Sequence, residues 1–459
     1  MGTPNAKDEP SGTAGAAGDL PGRRVPRVVR KFLDTEAAGG AVLLVAAVVA
    51  LVWANSPWRE AYDTVWGTEL SVGVGRFVLV EDLRHWVNDG LMALFFFVVG
   101  LEIKRELVAG ELREVRVAAM PAIAAAGGII VPAGLFLAVT AGGAGARGWG
   151  IPIATDIAFA VGVVALLGAR VPSSLKLFLL TLAIVDDIGA IVVIAVFYSS
   201  DIDVSFLVAA VVLLAVMLGL RRAGVVWLVP YVILGVAVWL VTLGSGVHAT
   251  IAGVVLGLLA PARPLTAAAV ARGWAGDLAD EPNAAELDVM VRLAKTSVSP
   301  AERLQHLLHP WTSFVVIPLF ALANAGVAIS SRSFEAPGAA SVAVGVVVGL
   351  VVGKVVGISA ASWLAVRTGL GRLPEGASWP MVVGIAATGG IGFTVSLFIT
   401  ELAFVPGPLQ ESAKIGVLGA STLAAVVGIV VLIRACSRPD PSPAAGESPS
   451  GLDRDPVRP

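Results

Sequence analysis

Apolar runs of about 20 residues recur along this chain, and they restrict its possible folds more than any other feature. A helix of that length crosses the roughly 30 Å of hydrocarbon in a bilayer. Hydrophobic residues make up 56% of the 459-residue sequence and charged residues 14%, whereas a soluble protein carries about 25% charged residues. The sequence therefore predicts an all-α polytopic membrane protein, and its net charge of −2 gives no sign of nucleic-acid binding.

The positions of the apolar runs predict about twelve transmembrane helices. They cover residues 38–55, 86–103, 117–140, 149–168, 176–198, 205–220, 224–242, 247–260, 311–329, 341–366, 378–404 and 413–434. Cytoplasmic loops carry an excess of Lys and Arg. Placing both termini in the cytoplasm leaves few basic residues outside, namely Arg59, Arg76, Arg84, Arg147 and Arg332. We therefore expect both termini to be cytoplasmic.

The chain is predicted to consist of a membrane domain at 32–436 between two disordered cytoplasmic tails at 1–31 and 437–459. Both tails are rich in Gly, Ala, Pro and charged residues, a composition that cannot bury enough apolar surface to fold. An external loop at 56–85 contains TELSVGVGRFVLV, whose alternation around glycines predicts a short β-hairpin. The loop at 261–310 is expected to be a cytoplasmic linker.

Four unusual features fall near the centre of predicted spans, where each charge costs roughly 2.5–3.5 kcal/mol on insertion scales. They are Asp186 and Asp187 in the fifth span, Lys354 in the tenth, Thr155 and Asp156 in the fourth, and Gly389, Gly390 and Gly392 in the eleventh. Independent structural accidents would not share one depth. The sequence therefore predicts a site at the membrane midplane.

The direction of the spans predicts an inverted repeat. Spans three to five begin inside, whereas spans ten to twelve begin outside, so the two triplets run in opposite directions. The middle span of one triplet is interrupted by Pro152 and the Thr155–Asp156 pair, and that of the other by three glycines. Interrupted spans at matching positions in oppositely oriented halves are typical of a transporter site. We expect two broken helices that cross at the midplane.

Broken helices also give Asp156 and Lys354 a role. Half-helix N-termini carry partial positive charge and C-termini partial negative charge, so Asp156 could neutralise two facing N-termini and Lys354 two facing C-termini. An ordinary Asp–Lys ion pair is the alternative, and Lys354 could instead pair with Asp186.

Asp186 and Asp187 point about 100° apart on a helix and cannot serve one partner equally. One acid can be paired structurally while the other faces a cavity. Carboxylate oxygens suit a hard cation such as Na⁺ or Li⁺. Burial and mutual repulsion also favour proton binding. A site that holds either protons or a metal cation is an exchanger, and we expect this pair to be shared by Na⁺ and H⁺.

Two rival functions use the same acids. In an intramembrane aspartyl protease, Asp156 and one of Asp186 and Asp187 would form a dyad, but no aspartate here follows a Gly-x-Gly sequence and Lys354 would have no role. A sodium-coupled symporter would need a roomy pocket for an organic solute, and the sequence offers no obvious polar set for one. We therefore expect a transporter of ions rather than an enzyme.

Six segments resemble the NhaA-type Na⁺/H⁺ antiporters, in order along nearly the whole membrane part. They are NDGLMALFFFVVGLEIKREL (88–107), IPIATDIAFAVGVVALLG (151–168), LAIVDDIGAIVVIA (182–195), SGVHATIAGVVLG (245–257), LHPWTSFVVIPLFALANAGV (308–327) and GGIGFTVSLFI (389–399). The resemblance implies a secondary active antiporter of a bacterial plasma membrane. It would export Na⁺ or Li⁺ in exchange for protons, electrogenically and under pH control, with no cofactor.

The resemblance also implies roles for individual residues. Asp186, Asp187, Asp156 and Thr155 would bind the ion, while Asp156 and Lys354 would compensate charge at the broken helices. Glu102, Glu106 and Asp89 match acids of the cytoplasmic funnel and its neighbourhood. For Glu102 and Glu106, a solvated helix end paired with Lys104 and Arg105 is the alternative. His248 matches a histidine implicated in pH response, and a capping histidine without that role is its alternative. The hairpin implies a homodimer.

Overall fold

The computed structural model describes residues 27–74, 77–199, 201–225, 227–263, 288–289, 291 and 297–437. Most of these residues are helical, and one small sheet is present. The predicted tail at 437–459 lies outside this range except for Ser437, as do residues 1–26 of the first tail and most of the loop at 261–310.

The first part of the described chain contains the hairpin. Its elements are α1 (Arg27–Ala54), α2 (Arg59–Trp66), β1 (Glu69–Val74), β2 (Phe77–Asp82), a helical turn (Leu83–His85), a π-helix (Trp86–Leu91) and α3 (Met92–Ala109). Strands β1 and β2 pair antiparallel, from Glu69 opposite Asp82 to Val74 opposite Phe77. The predicted hairpin is therefore confirmed, whereas α2, which lies just before it, was not predicted.

Two long helices enclose the first interrupted segment. They are α4 (Val115–Thr140) and α6 (Ser173–Phe197), and between them lie a 3-10 half-helix (Ala144–Ile153) and α5 (Ile157–Leu166). Short 3-10 turns at Glu111–Arg113 and Gly168–Arg170 complete this part. Three helices follow, α7 (Val204–Arg222), α8 (Leu228–Leu243) and α9 (Ala249–Leu259).

The last part contains the second interrupted segment. Its elements are α10 (Pro300–Trp311), a π-helix (Thr312–Val316), α11 (Ile317–Asn324), a 3-10 turn (Ser331–Phe334), α12 (Ala339–Val347), a π-helix (Val348–Gly353), α13 (Lys354–Arg367), α14 (Trp379–Thr388), α15 (Phe393–Ala403) and α16 (Pro408–Cys436).

Among the described residues, six helices are long and apolar enough to cross a membrane, and up to nine spans result if each bent helix pair is one span. The chain is a multi-pass membrane protein, and the count of twelve stays a prediction. Two helices extend beyond the predicted spans. Helix α1 begins at Arg27, inside the predicted tail, and α10 begins at Pro300, inside the predicted linker. Hydropathy does not detect such polar helical extensions, because an existing helix can lengthen without added apolar residues.

Glycines allow the helices around the site to approach closely. A side chain at Gly127 of α4 would collide with the Gly357 carbonyl of α13, and one at Gly357 would collide with the Gly127 carbonyl. Small residues permit this backbone contact between membrane helices, which associate by van der Waals packing. The contact brings α4 against α13, the helix that begins with Lys354.

Candidate ion-binding site

Two interrupted helices contact each other at their breaks. The 144–153 half-helix and α5 are bent by 47°, and α14 and α15 by 46°. The Asp156 N–H donates to the Ile391 carbonyl at 2.7 Å, and the Ser396 hydroxyl donates to the Ile151 carbonyl at 2.7 Å. Both breaks lie in the segments where the sequence predicted them. Their backbones, which lack regular helical hydrogen bonds, therefore partly satisfy each other.

Asp156 binds the N-termini of both half-helices that begin at the crossing. Its Oδ1 accepts from the Phe159 N–H of α5 at 3.0 Å. Its Oδ2 accepts from the N–H and the hydroxyl of Thr394 in α15, at 3.0 and 2.6 Å. Helix N-termini carry partial positive charge and unsatisfied N–H groups. One carboxylate thus caps two helices, which is the contact pattern predicted for charge compensation.

Lys354 combines the two alternatives that the sequence left open. Its Nζ donates to the carbonyl of Ile153, the last residue of the 144–153 half-helix, at 2.6 Å. It also donates to Asp186 Oδ2 at 2.6 Å, in an ion pair whose side chains are both fully buried. Lys354 therefore contacts the carbonyl end of one half-helix and one of the paired aspartates.

Thr155 connects the two breaks. Its hydroxyl lies 2.8 Å from both Asp186 Oδ2 and the Gly389 carbonyl, and it accepts from Lys354 Nζ at 3.1 Å. With one proton, it donates to Asp186 or to Gly389 while accepting from Lys354. The buried Gly389 carbonyl, at the C-terminus of α14, is thus contacted by a hydroxyl, where the sequence predicted the lysine.

Asp186 and Asp187 have different surroundings, although they are adjacent in α6. Asp186 is 0% exposed and accepts from Lys354 and Thr155. Asp187 is 5% exposed and has no lysine partner among the described residues, while the buried Oδ1 atoms of both aspartates lack a hydrogen-bond partner there. Asp187 is therefore the acid available to a ligand.

The charge balance of the site suits a cation. Three buried aspartates, Asp156, Asp186 and Asp187, stand against one buried lysine, Lys354. Buried charge is costly unless it is neutralised, and a metal cation or protons can neutralise the excess. Within the described ranges, no three His, Cys, Asp or Glu side chains are grouped as a metal site. The oxygens of Asp187, Asp186 and Thr155 are the nearest candidates for a monovalent cation.

Among Gly389, Gly390 and Gly392, the last two are needed for space. None of them has a positive φ. A side chain at Gly390 would collide with the Leu350 carbonyl, and one at Gly392 with the Ser396 hydroxyl. The glycines thus let the second break lie directly against the backbone before Lys354.

The three acids expected at the funnel do not lie together. Glu102 is close enough for its charge to act on Asp187. Glu106 accepts from the Glu111 N–H at 3.0 Å and from Arg105 at 3.3 Å, at the end of α3. Asp89 lies in the π-helix before α3, about 20 Å from Glu102 along the axis. It thus belongs to the hairpin end of the helix.

His248 is the N-cap residue of α9, and its Nε2 lies 2.8 Å from the Tyr198 carbonyl. The Tyr198 hydroxyl in turn accepts from the Gly150 N–H at 3.1 Å and donates to the Arg147 carbonyl at 2.8 Å. Sequence reasoning missed Tyr198, as it missed Thr394 and Ser396 at the crossing. For Thr394 a signal was present, because a Thr soon after a glycine-rich break is a frequent helix-start residue.

Comparison with known proteins identifies the family of this chain. The family described as Na⁺/H⁺ antiporter 1 matches residues 30–432. Na(+)/H(+) antiporter NhaA 3 of Frankia alni is 48% identical over 415 residues, 89% of this chain and 89% of that protein. Na(+)/H(+) antiporter NhaA of Oleidesulfovibrio alaskensis is 46% identical, over 88% of this chain and 93% of that protein. Na(+)/H(+) antiporter NhaA of Rhodopirellula baltica is 46% identical, over 92% and 97%. The chain belongs to the Na⁺/H⁺ antiporter 1 family.

Proposed function

We propose that this protein is a secondary active antiporter that exports Na⁺ or Li⁺ in exchange for protons. Membership of the family and the names of relatives that share most of their length with it support exchange of these ions. The buried excess of carboxylates over lysine at the crossing supports a cation as the ligand. We place the protein in a bacterial plasma membrane, with both termini cytoplasmic.

One observation carries the mechanism: Asp186 is paired with Lys354 through its Oδ2, whereas its neighbour Asp187, also buried, has no lysine partner among the described residues. We infer that Na⁺ and H⁺ share a binding site on the Asp187 carboxylate, with Thr155 and Asp156 nearby. Lys354 holds Asp186 in place and limits the negative charge. Because a cation and a proton cannot neutralise one carboxylate together, binding of either expels the other.

Alternating access would move the two interrupted segments relative to their surroundings. Spans three to five (α4 to α6) and ten to twelve (α12 to α16) would form inverted repeats in a fold of about twelve transmembrane helices, crossing at the midplane. The similar bends of the two segments, 47° and 46°, support this. Exchange of two protons for each Na⁺ would make transport electrogenic, so that the membrane potential drives Na⁺ out.

Two further parts of the proposal concern regulation and assembly. His248 is the candidate for pH response, because its ring contacts the last carbonyl of α6, at Tyr198, beside the 144–153 half-helix. The β1–β2 hairpin is the candidate dimer contact, because Leu70, Val72, Val78 and Val80 are 45–58% exposed.

The test is Na⁺/H⁺ exchange by the reconstituted full chain in proteoliposomes without organic solute. We expect Asp187→Asn to abolish Na⁺-dependent proton movement. Asp186→Asn should retain measurable exchange with a lower rate, because Lys354 loses its partner. Asp203→Asn is the matched control, since Asp203 caps α7 at an exposed position and Asn is an equally good cap. Exchange at the wild-type rate by Asp187→Asn would refute the assignment of Asp187 as the shared binding site.

Competition gives a second readout. Lowering the pH should raise the Na⁺ concentration for half-maximal exchange and leave the maximal rate unchanged. A fall in the maximal rate without a change in that concentration would mean that protons and Na⁺ use separate sites.

A further inference from the structure

A second buried acid–lysine pair lies at the hairpin end of the molecule. Glu401, in the last turn of α15, forms an ion pair with Lys414 of α16, and their side chains are only 12% and 7% exposed. The second Glu401 oxygen accepts from Gln410 Nε2 at 3.2 Å, which also donates to the Phe404 carbonyl at 3.1 Å. Buried ion pairs often add nothing to stability compared with apolar residues. The pair therefore needs another reason.

The position of Glu401 connects it with the crossing. It follows Thr394, which binds Asp156, by seven residues, so both lie on one face of α15 about 10 Å apart along the axis. Its charge acts on Tyr62 of α2, which places it at the hairpin end. A carboxylate in the last turn of a helix also lies where the backbone carbonyls are partly negative. This end of α15 therefore attracts a cation.

An aromatic layer separates the two places. Phe398, fully buried on the same face of α15, lies 5.3 Å from Phe96 and 6.2 Å from Phe320 between ring centroids. These rings place an apolar layer on α15 between Thr394 and Glu401.

Lys414 has a second acid within reach. Glu411 precedes it by three residues on α16, the spacing of neighbouring side chains on a helix, and it accepts from the Ser333 hydroxyl at 2.9 Å. The lysine ammonium is a compact charge on a flexible stem. It can move from Glu401 towards Glu411 without unfolding either helix, and this would free the Glu401 carboxylate.

We propose that the Glu401 carboxylate is a second binding site for the transported monovalent cation, on the hairpin side of the Phe398 layer. Lys414 occupies this site while the cation is absent. The proposal rests on the proposed function. Na⁺ leaving the crossing would reach Glu401 once the layer opens, displace the ammonium towards Glu411, and then exit.

The test uses sealed membrane vesicles of both orientations that contain the full chain, with Na⁺ varied on one face at a time. Glu401→Gln should raise the half-maximal Na⁺ concentration on the hairpin face about tenfold, the effect of one lost charge-assisted contact. Lys414→Met should lower it, because the competing ammonium is gone. Glu411→Gln should raise it, because Lys414 loses its alternative partner. The opposite face should be unaffected in all three.

Opposite effects of Glu401→Gln and Lys414→Met on the half-maximal Na⁺ concentration distinguish a binding site from a structural ion pair. Removal of either partner of a structural pair would impair transport in the same way. Glu60→Gln, an exposed acid in α2, is the matched control and should leave both faces unchanged. If Lys414→Met does not fold, Lys414→Gln, which also removes the ammonium, supplies the same discrimination. The proposed binding site would be overturned by equal changes on both faces, by changes in the same direction for Glu401→Gln and Lys414→Met, or by no change. Absence of Na⁺/H⁺ exchange in the wild-type vesicles would instead refute the proposed function.

Discussion

The two breaks at the crossing bend their helices by almost the same angle but are built from different residues. The break at 154–156 carries Thr155 and Asp156, whose side chains bind both segments. The break at 389–392 carries glycines, and it offers only backbone groups, the Gly389 and Ile391 carbonyls, to the other segment. One break therefore supplies the polar side chains, and the other supplies the space in which they act.

Because of this difference, substitutions at the two breaks should destabilise the protein in different ways. Loss of a side chain from the first break leaves buried N–H groups and carbonyls without partners, and each such group costs about 1–3 kcal/mol. Addition of a side chain to the second break pushes backbones apart. Substitutions at the two breaks can therefore be ranked by the contact that each one removes or creates.

Asp156→Ala is expected to have the largest effect, because three donors on two helices lose their acceptor. We expect the free energy of unfolding in detergent to fall by about 3–5 kcal/mol, as for a broken buried ionic contact, and exchange to be lost. Tryptophan fluorescence during denaturant titration measures the first effect. Asp203→Ala, which removes a cap from one exposed helix, should cost only about 1 kcal/mol. Equal losses in the two variants would mean that Asp156 is an ordinary cap.

Gly390→Ala tests the second break. The added methyl group would collide with the Leu350 carbonyl, whose backbone cannot move freely before Lys354. We expect a loss of about 2–3 kcal/mol, as for an overpacked core, measured by the same titration. Gly134→Ala is the control, because nothing lies within 4 Å of that added methyl group. Gly134→Ala should be neutral or stabilising. A neutral Gly390→Ala would show that the two backbones can separate without cost.

Thr155→Val removes the hydroxyl but keeps the shape of the side chain. Lys354 then loses one acceptor, and Asp186 and the Gly389 carbonyl lose a shared donor. We expect a cost of about 1–2 kcal/mol and a higher half-maximal Na⁺ concentration in the exchange assay. Thr155→Ser, which keeps the hydroxyl, should restore both values. If Thr155→Val behaves like the wild type, the Thr155 hydroxyl is not needed.

The sequence predicted the interruptions and the polar residues at them, because charge, proline and clustered glycines inside apolar runs are conspicuous. It could not assign partners. Lys354 was left open between two roles, and its contacts with both Ile153 and Asp186 follow from how the 144–153 half-helix, α6 and α13 pack. Sequence reasoning also overlooked the pair of Glu401 and Lys414, because each lies near a helix end, where a charge is ordinary. Only the packing of α15 against α16 buries them.

Gly389→Ala should have the smallest effect, although Gly389 is adjacent to Gly390. Its added methyl group would lie 3.1 Å from Ile358 Cδ1, the end of a flexible side chain, and 3.3 Å from the Ala386 carbonyl. Ile358 can change rotamer, so we expect a cost below about 1 kcal/mol. Denaturant titration of Gly389→Ala and Gly390→Ala compares the free energies of unfolding of two variants that each add one methyl group. Equal costs would mean that the break needs glycine for its backbone conformation. A clear difference would mean that a single contact, with the Leu350 carbonyl, sets how closely the second break approaches the segment before Lys354.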